Sequence, residues 1–189
     1  MNDYHTALTQ DTTRWPVLDM HMGLRGVSFQ ADLNSGIPEA MYNADIWYTD
    51  LPWRVGYFEF AKRAGVEQAQ PYTKLLKSIG VAVAKAKIPA ILITGKHAIK
   101  SLSPESIANV TLNNGEAVAC LWGYKPWVGT VNTVALLKNL AAEYQCVGDF
   151  CCGYGRAGKI FAEAGKGYVM SDLNGECIGY IAAHERKWV

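Results

Sequence analysis

A chain of 189 residues, half of them hydrophobic and 19% charged, has the length of one domain and the balance of a globular protein. Disordered and fibrous classes are excluded. Eighteen basic residues against seventeen acidic ones leave a net charge of +1, which excludes a general basic coat for nucleic acid.

No apolar run reaches the roughly 20 residues that span a bilayer, and the N-terminal stretch MNDYHTALTQDTTRW lacks the apolar core of a signal peptide. A cytoplasmic protein without membrane contact is expected. Cysteines at 120, 146, 151, 152 and 177 form no CxxC pair and have no nearby Cys/His cluster, so free thiols are expected rather than disulfides or a metal site. His5, His21, His97 and His184 are scattered without metal spacing.

Along the chain, residues 1–15 are polar enough to be a flexible segment, and residues 16–189 read as a single domain. GVSFQAD (26–32) and ADIWYTDLPW (44–53) read as strands, each reaching a carboxylate. Leu75, Leu76, Ile79 and Val83 recur at helical spacing, with Lys74, Lys77 and Lys85 left for the outer face. PAILITG (89–95) is the next strand. SPESIANV predicts a short helix, with Ser103 as cap and Pro104 at the first helical position. GEAVACLWGY (115–124) follows as a strand, and Val134, Leu137, Leu140, Ala141 and Tyr144 mark a helix. CVGDFCC (146–152) is a strand entering the turn GYGRAG; a helix over 156–164, a strand GYVMSD (167–172) and a helix after Asn174 complete the chain. This alternation predicts a single Rossmann-like α/β domain: a mostly parallel sheet with helices on both faces, an antiparallel strand, and its site outside the carboxyl ends of the strands.

Those strand ends carry Asp32, Asp50 and Asp172, and Asp149 precedes the turn with Gly153 and Gly155. The glycines allow close backbone approach to a ligand, and Asp172 is spaced to accept hydrogen bonds from a ribose diol. The plainer reading is a tight turn between strand and helix. In TDLPW (49–53), Pro52 makes a rigid corner at which Asp50 and the Leu51 carbonyl offer two acceptors beside the face of Trp53. Two acceptors and a stacking surface suit a planar ligand with an exocyclic amine; the plainer reading is that Pro52 and Trp53 end a strand and cover the core. Trp122, Tyr124 and Trp127 fit base stacking or a sheet face, and GKHAIK (95–100) fits a phosphate contact or a solvated loop.

With these segments in view, the chain resembles the S-adenosylmethionine-dependent amino methyltransferases of DNA, in their permuted order with the catalytic motif ahead of the cofactor motif. TDLPW resembles their (D/N/S)PP(Y/F/W) motif, DFCCGYG their DPFCGSG motif, and TVNTVALLKNL the preceding TVKPVAL segment. Leu51 replaces a proline, Cys151 a phenylalanine, and Asn132 and Thr133 a Lys-Pro pair. Only residues 54–71 and 96–130 are available for a target-recognition insert, so sequence readout is expected to be short, absent or supplied by a partner. The resemblance implies S-adenosylmethionine as cofactor, no metal, and DNA as partner, with N6 of adenine preferred over N4 of cytosine. RNA or a nucleotide, or a non-catalytic subunit with this fold, are the alternatives, and a homodimer or specificity partner fits the small size. Bacterial or phage origin is implied with it. By the same resemblance Asp50, Leu51, Pro52 and Trp53 are catalytic. Asp149, Phe150, Cys151, Gly153 and Gly155 line the methionine part of the cofactor, Thr130 and Asn132 complete that end, Asp172 holds the ribose, and Asp32 approaches the adenine.

The charge is unevenly spread. Residues 54–100 hold nine Lys or Arg against Glu59 and Glu67, a local balance of +7 that leaves −6 for the remainder. The basic part begins directly after the expected catalytic motif, where nucleic acid is expected.

Overall fold

Alternating side chains in five short apolar strands decide the architecture seen in the computed structural model, which describes residues 15–66, 69–112 and 115–189. The strands are β1 (Met20–Met22), β2 (Gly26–Gln30), β3 (Ile46–Asp50), β4 (Ala90–Thr94), β5 (Ser106–Leu112), β6 (Gly115–Trp122), β7 (Thr130–Asn132), β8 (Cys146–Asp149) and β9 (Gly167–Asp172). They form one sheet in the order β1-β2-β9-β8-β3-β4-β6-β5-β7. The block β2-β9-β8-β3-β4 is parallel throughout. β1 runs antiparallel to β2, and β6 runs antiparallel to both β4 and β5.

Each central strand feeds two cores, because successive side chains point to opposite faces. Ile46, Tyr48, Ile91 and Ile93 pack with Leu136, Leu137, Phe161, Ile178 and Ile181. These come from α4 (Thr133–Glu143), α5 (Arg156–Glu163) and α6 (Gly175–His184). Trp47, Ala90 and Leu92 face the other way, against Leu75, Leu76, Ile79 and Val83 of α2 (Tyr72–Ala86). The apolar stripe expected there is the buried face, and Lys74, Lys77 and Lys85 are exposed. The fold class expected from the sequence is therefore the one observed.

One expected element is wrong. Residues after Ser103 form no helix; they form β5, with Ala108 and Val110 buried and Ile107 and Asn109 exposed. That is a period of two, and pairing with β6 along its whole length satisfies the backbone that a helix would otherwise have satisfied. Ser103 instead ends the short helix α3 (Ile99–Leu102) in a left-handed conformation, φ 52°. Four strands or α-helices lie in stretches where no element was expected: β1, β7, the short helix α3 and the helix α1 (Arg54–Arg63) directly after TDLPW. The expected flexible segment 1–15 falls almost wholly outside the described residues.

The α2–α3 contact shows how tightly this cover is packed. A methyl group added at Gly80 would collide with the backbone carbonyl of Leu102, and neither rigid helix can yield cheaply. Gly80→Ala is expected to cost ~2 kcal/mol and to lower the melting temperature by about 5 °C in a domain of this size. A thermal melt of the variant checks this; an unchanged midpoint would mean the two helices are free to separate.

Candidate active site

Four carboxylates end four consecutive strands of the parallel block. In sheet order they are Asp32, two residues past β2, then Asp172 of β9, Asp149 of β8 and Asp50 of β3. At the usual strand spacing they span about 14 Å of one sheet edge. Helices α4, α5 and α6 all begin at this edge, so it also collects the unpaired backbone donors of helix N-termini.

Local hydrogen bonds hold the loops between these strands. The Thr49 hydroxyl donates to Asp149 Oδ1 at 2.6 Å and accepts the Cys151 amide at 3.0 Å. Asp172 Oδ2 accepts the Gly153 amide at 2.8 Å, and its Oδ1 accepts the Asn174 amide at 2.9 Å. Gly153 and Gly155 both have positive φ, 50° and 79°. A side chain at Gly155 would press on Ile181 and Trp188, whereas one at Gly153 would meet nothing within 4 Å. Gly155 is thus demanded by packing as well as by conformation, while Gly153 turns past open space.

Asp50 stands at the open end of β3. Protein around its solvent-facing carboxyl removes enough water to raise the pKa to about 6, with the Arg156 guanidinium opposing the rise. Asp149 is pushed up to about 7, first by burial, against the Thr49 and Cys151 hydrogen bonds; the charges of Asp172 and Asp50 add to the rise. Burial also raises Asp172, opposed by the amides that it accepts. Leu51 is buried, and its amide donates to the Ile93 carbonyl at 3.0 Å. The Tyr72 hydroxyl donates to the Pro52 carbonyl at 2.8 Å. Trp53, 43% exposed, opens α1 beside Gly95, a position that also abuts the His97 ring.

No family model and no curated protein matches this chain. Solved structures do. The M1.HpyAVI–SAM complex is 12% identical, with 85% of this chain covering 98% of that one at a TM-score of 0.53. A Thermus thermophilus protein, TTHA0409, provisionally described as a DNA modification methylase, was solved in complex with S-adenosyl-L-methionine. It is 11% identical, with 82% of this chain covering 89% of that one at a TM-score of 0.52. The chain shares the fold of these proteins.

Within that fold the expected site residues divide. Asp50, Asp149, Gly153, Gly155 and Asp172 come together at adjacent strand ends, and Trp53 and Pro52 follow Asp50. Asp32 lies at the next strand end, where its Oδ1 accepts from the Asn34 amide and side chain, capping a single turn of 3-10 helix. The Phe150 ring is buried in the core, edge-on to Trp47 at 5.9 Å, and leaves only its backbone for the loop. Thr130 and Asn132 sit on the edge strand β7, and Asn132 Oδ1 caps α4 by accepting the Val134 amide. Its neighbour Thr133 is the buried residue, in contact with the Tyr48 hydroxyl. Trp122 is buried in the sheet, and Tyr124 and Trp127 pack on the core. GKHAIK forms a single 3-10 turn running into α3.

Thr49, Tyr72, Thr133 and Arg156 are the residues that sequence reasoning missed. Thr49 meets Asp149 across 100 positions of chain, and no local pattern announces such a contact. Arg156 carried one usable signal: a cation as the first residue of a helix is disfavoured by the helix dipole, which points to an anionic neighbour.

Asp149 yields a stability prediction. An acid whose pKa rises from 3.8 to about 7 on folding binds its proton more tightly in the folded chain, so stability falls as pH climbs between those values. Asp149→Asn keeps an oxygen for Thr49 and Cys151 but carries no charge. Its melting temperature should exceed wild type by more at pH 8 than at pH 5, and an equal difference at both would refute a buried charge at this position.

Proposed function

We propose that this chain transfers a methyl group from S-adenosylmethionine to the exocyclic amine of a base in DNA, N6 of adenine. The observation that carries the reading is Asp50, a carboxylate with a pKa near neutrality, followed by an exposed aromatic and sharing one sheet edge with the glycine turn and Asp172. The donor set fits the cofactor. Gly153 borders open space where its backbone can approach a ligand, and the Asp172 carboxylate, which accepts backbone amides from Gly153, Leu173 and Asn174, keeps acceptor capacity for a ribose hydroxyl. Asp172 and Gly153 would hold the ribose and methionine parts, with Asp149, Cys151 and Gly155 shaping the loop and Asp32 beside the adenine. When bound, the cofactor supplies an electrophilic methyl group on a sulfonium centre.

The remaining chemistry belongs to the chain. An exocyclic amine is a weak nucleophile because its lone pair is delocalised into the ring. Asp50 and the Leu51 carbonyl accept its two N–H bonds, which favours a pyramidal nitrogen and stabilises the positive charge developing there. Trp53 stacks on the base once it is unstacked from its neighbours. Asp50 is ionised at neutral pH and accepts the departing proton. Tyr72 fixes the Pro52 carbonyl and Thr49 fixes the loop after β8, so the acceptors are set before substrate arrives.

Labelled S-adenosylmethionine and unmethylated DNA, followed by digestion and mass identification of nucleosides, tests the reading. N6-methyladenine is expected, and Asp50→Ala should lower kcat at least about 100-fold. Methyl transfer to RNA alone, or none with the cofactor bound, would overturn it. Activity should fall as pH drops through about 6, where Asp50 takes up a proton. Because Arg156 lowers that pKa, Arg156→Ala should move this acid limb to higher pH, a shift that a pH–rate profile reads directly.

A further inference from the structure

Helix α1 is packed with part of its apolar surface outward. Tyr57 and Ala61, one turn apart, are buried. Tyr57 lies against Tyr72 at a ring distance of 5.6 Å, and its hydroxyl donates to Asn34 Oδ1 at 3.3 Å. That face anchors the helix to the loop after β2 and to the start of α2. Trp53, Gly56 and Phe60 recur at the i, i+3, i+7 spacing of one other face, with Trp53 at the helix cap and Phe60 half exposed. Gly56 contributes no side chain between them, and the Phe60 ring reaches over it, 3.3 Å from where a Cβ would stand. Phe58 is exposed as well, at 45%. Two aromatic rings on one ten-residue helix and a third at its cap, each about half exposed, leave much of their apolar surface in water, where it contributes nothing to folding.

The surroundings of these rings are basic. Lys62 and Arg63 close α1 and are exposed. Exposed Lys96 and His97 follow Gly95, where an added Cβ would meet both Trp53 and the His97 ring, and exposed Lys100 follows on α3. Glu59 is the acidic residue described on this helix. An aromatic platform bordered by cations fits a polyanion that carries stackable rings.

The geometry points to single-stranded DNA as the form of substrate held on this face, with bases flanking the target stacked on Phe60 and its neighbours. This inference rests on the methyl-transfer reading for the target base and extends it to the form of the strand. Two observations favour an unpaired strand over a duplex. Duplex sequence is read by hydrogen-bonding side chains on a helix or ribbon in the major groove. The region after β4 that could have carried such a module is instead spent on β5, β6 and β7 of the sheet. Phenylalanine, for its part, offers a base only its ring face, and base faces are accessible only when the strand is unstacked.

The test compares one 5′-labelled oligonucleotide, single-stranded and as a perfect duplex, by fluorescence anisotropy at fixed salt. Single-strand affinity should be at least about 10-fold tighter than duplex affinity. Phe60→Ala and Phe60→Leu should each weaken single-strand binding about 10-fold, the size of one lost base stack, while Phe60→Trp retains it and cofactor binding is unchanged in all three. Equal affinity for the two forms, or wild-type single-strand binding by Phe60→Ala, would overturn the proposal. Tight, Phe60-dependent binding of the single strand without methyl transfer would uphold this surface and overturn the catalytic reading instead, so the two fail separately.

Discussion

One buried hydroxyl sets the geometry of the candidate site. Thr49 precedes Asp50 in the chain, and its side chain bridges Asp149 and the Cys151 amide. The end of β3 is thereby held to the loop after β8. Two residues further along that loop, the Gly153 amide is held by Asp172, whose other oxygen fixes the turn into α6. Three strand ends, brought together from positions 49, 149 and 172, thus behave as one piece. An acceptor on β3 and a glycine cradle after β8 need a fixed separation if they are to serve a single reaction, and charge-assisted hydrogen bonds in a dry environment supply it.

The same arrangement concentrates negative charge. Asp50, Asp149 and Asp172 each have a raised pKa with burial as the main cause, and the charges of Asp50 and Asp172 raise Asp149 further. Arg156 opposes the rise at Asp50. Crowding acids at a strand edge costs stability, a pattern typical of sites kept for chemistry rather than for folding. It also explains why Asp50 and Asp149 both sit near neutrality in different surroundings. The former faces solvent and can exchange a proton with a ligand, and the latter is enclosed and holds a loop.

Helix α1 joins this site to the surface. Its inward residue Tyr57 touches Asn34 in the loop after β2 and Tyr72 at the start of α2, and Trp53 and Phe60 are its half-exposed aromatic residues on another face. The polarised charge visible in residues 54–100 becomes spatial here, because Lys62, Arg63 and Lys96 lie on elements that adjoin Trp53. Other lysines of that stretch, Lys74, Lys77 and Lys85, occupy the solvated side of α2 and have no part in it.

Much of the fold was legible in the sequence. Period-two and period-3.6 patterns locate β2, β3, β4, β6, β8, β9 and the long helices, because burial of one face imposes those periods. The candidate acids were legible for a related reason: strands of a parallel block all present their carboxyl ends at one edge, so Asp32, Asp50, Asp149 and Asp172 had to share it once the strands were found. SPESIANV misled because a cap-like Ser-Pro is a local signal of fractions of a kcal/mol to ~2 kcal/mol, and seven residues of pairing with β6 outweigh it. What only the tertiary structure decided were contacts between residues distant in the chain. Thr49 with Asp149, Tyr72 with Pro52, Arg156 near Asp50, the burial of Phe150 and the capping role of Asn132 all depend on which strands and helices became neighbours. Side-chain periodicity is written locally and survives in the sequence; the partner of a hydrogen bond is not, since it is fixed by packing that no single segment encodes.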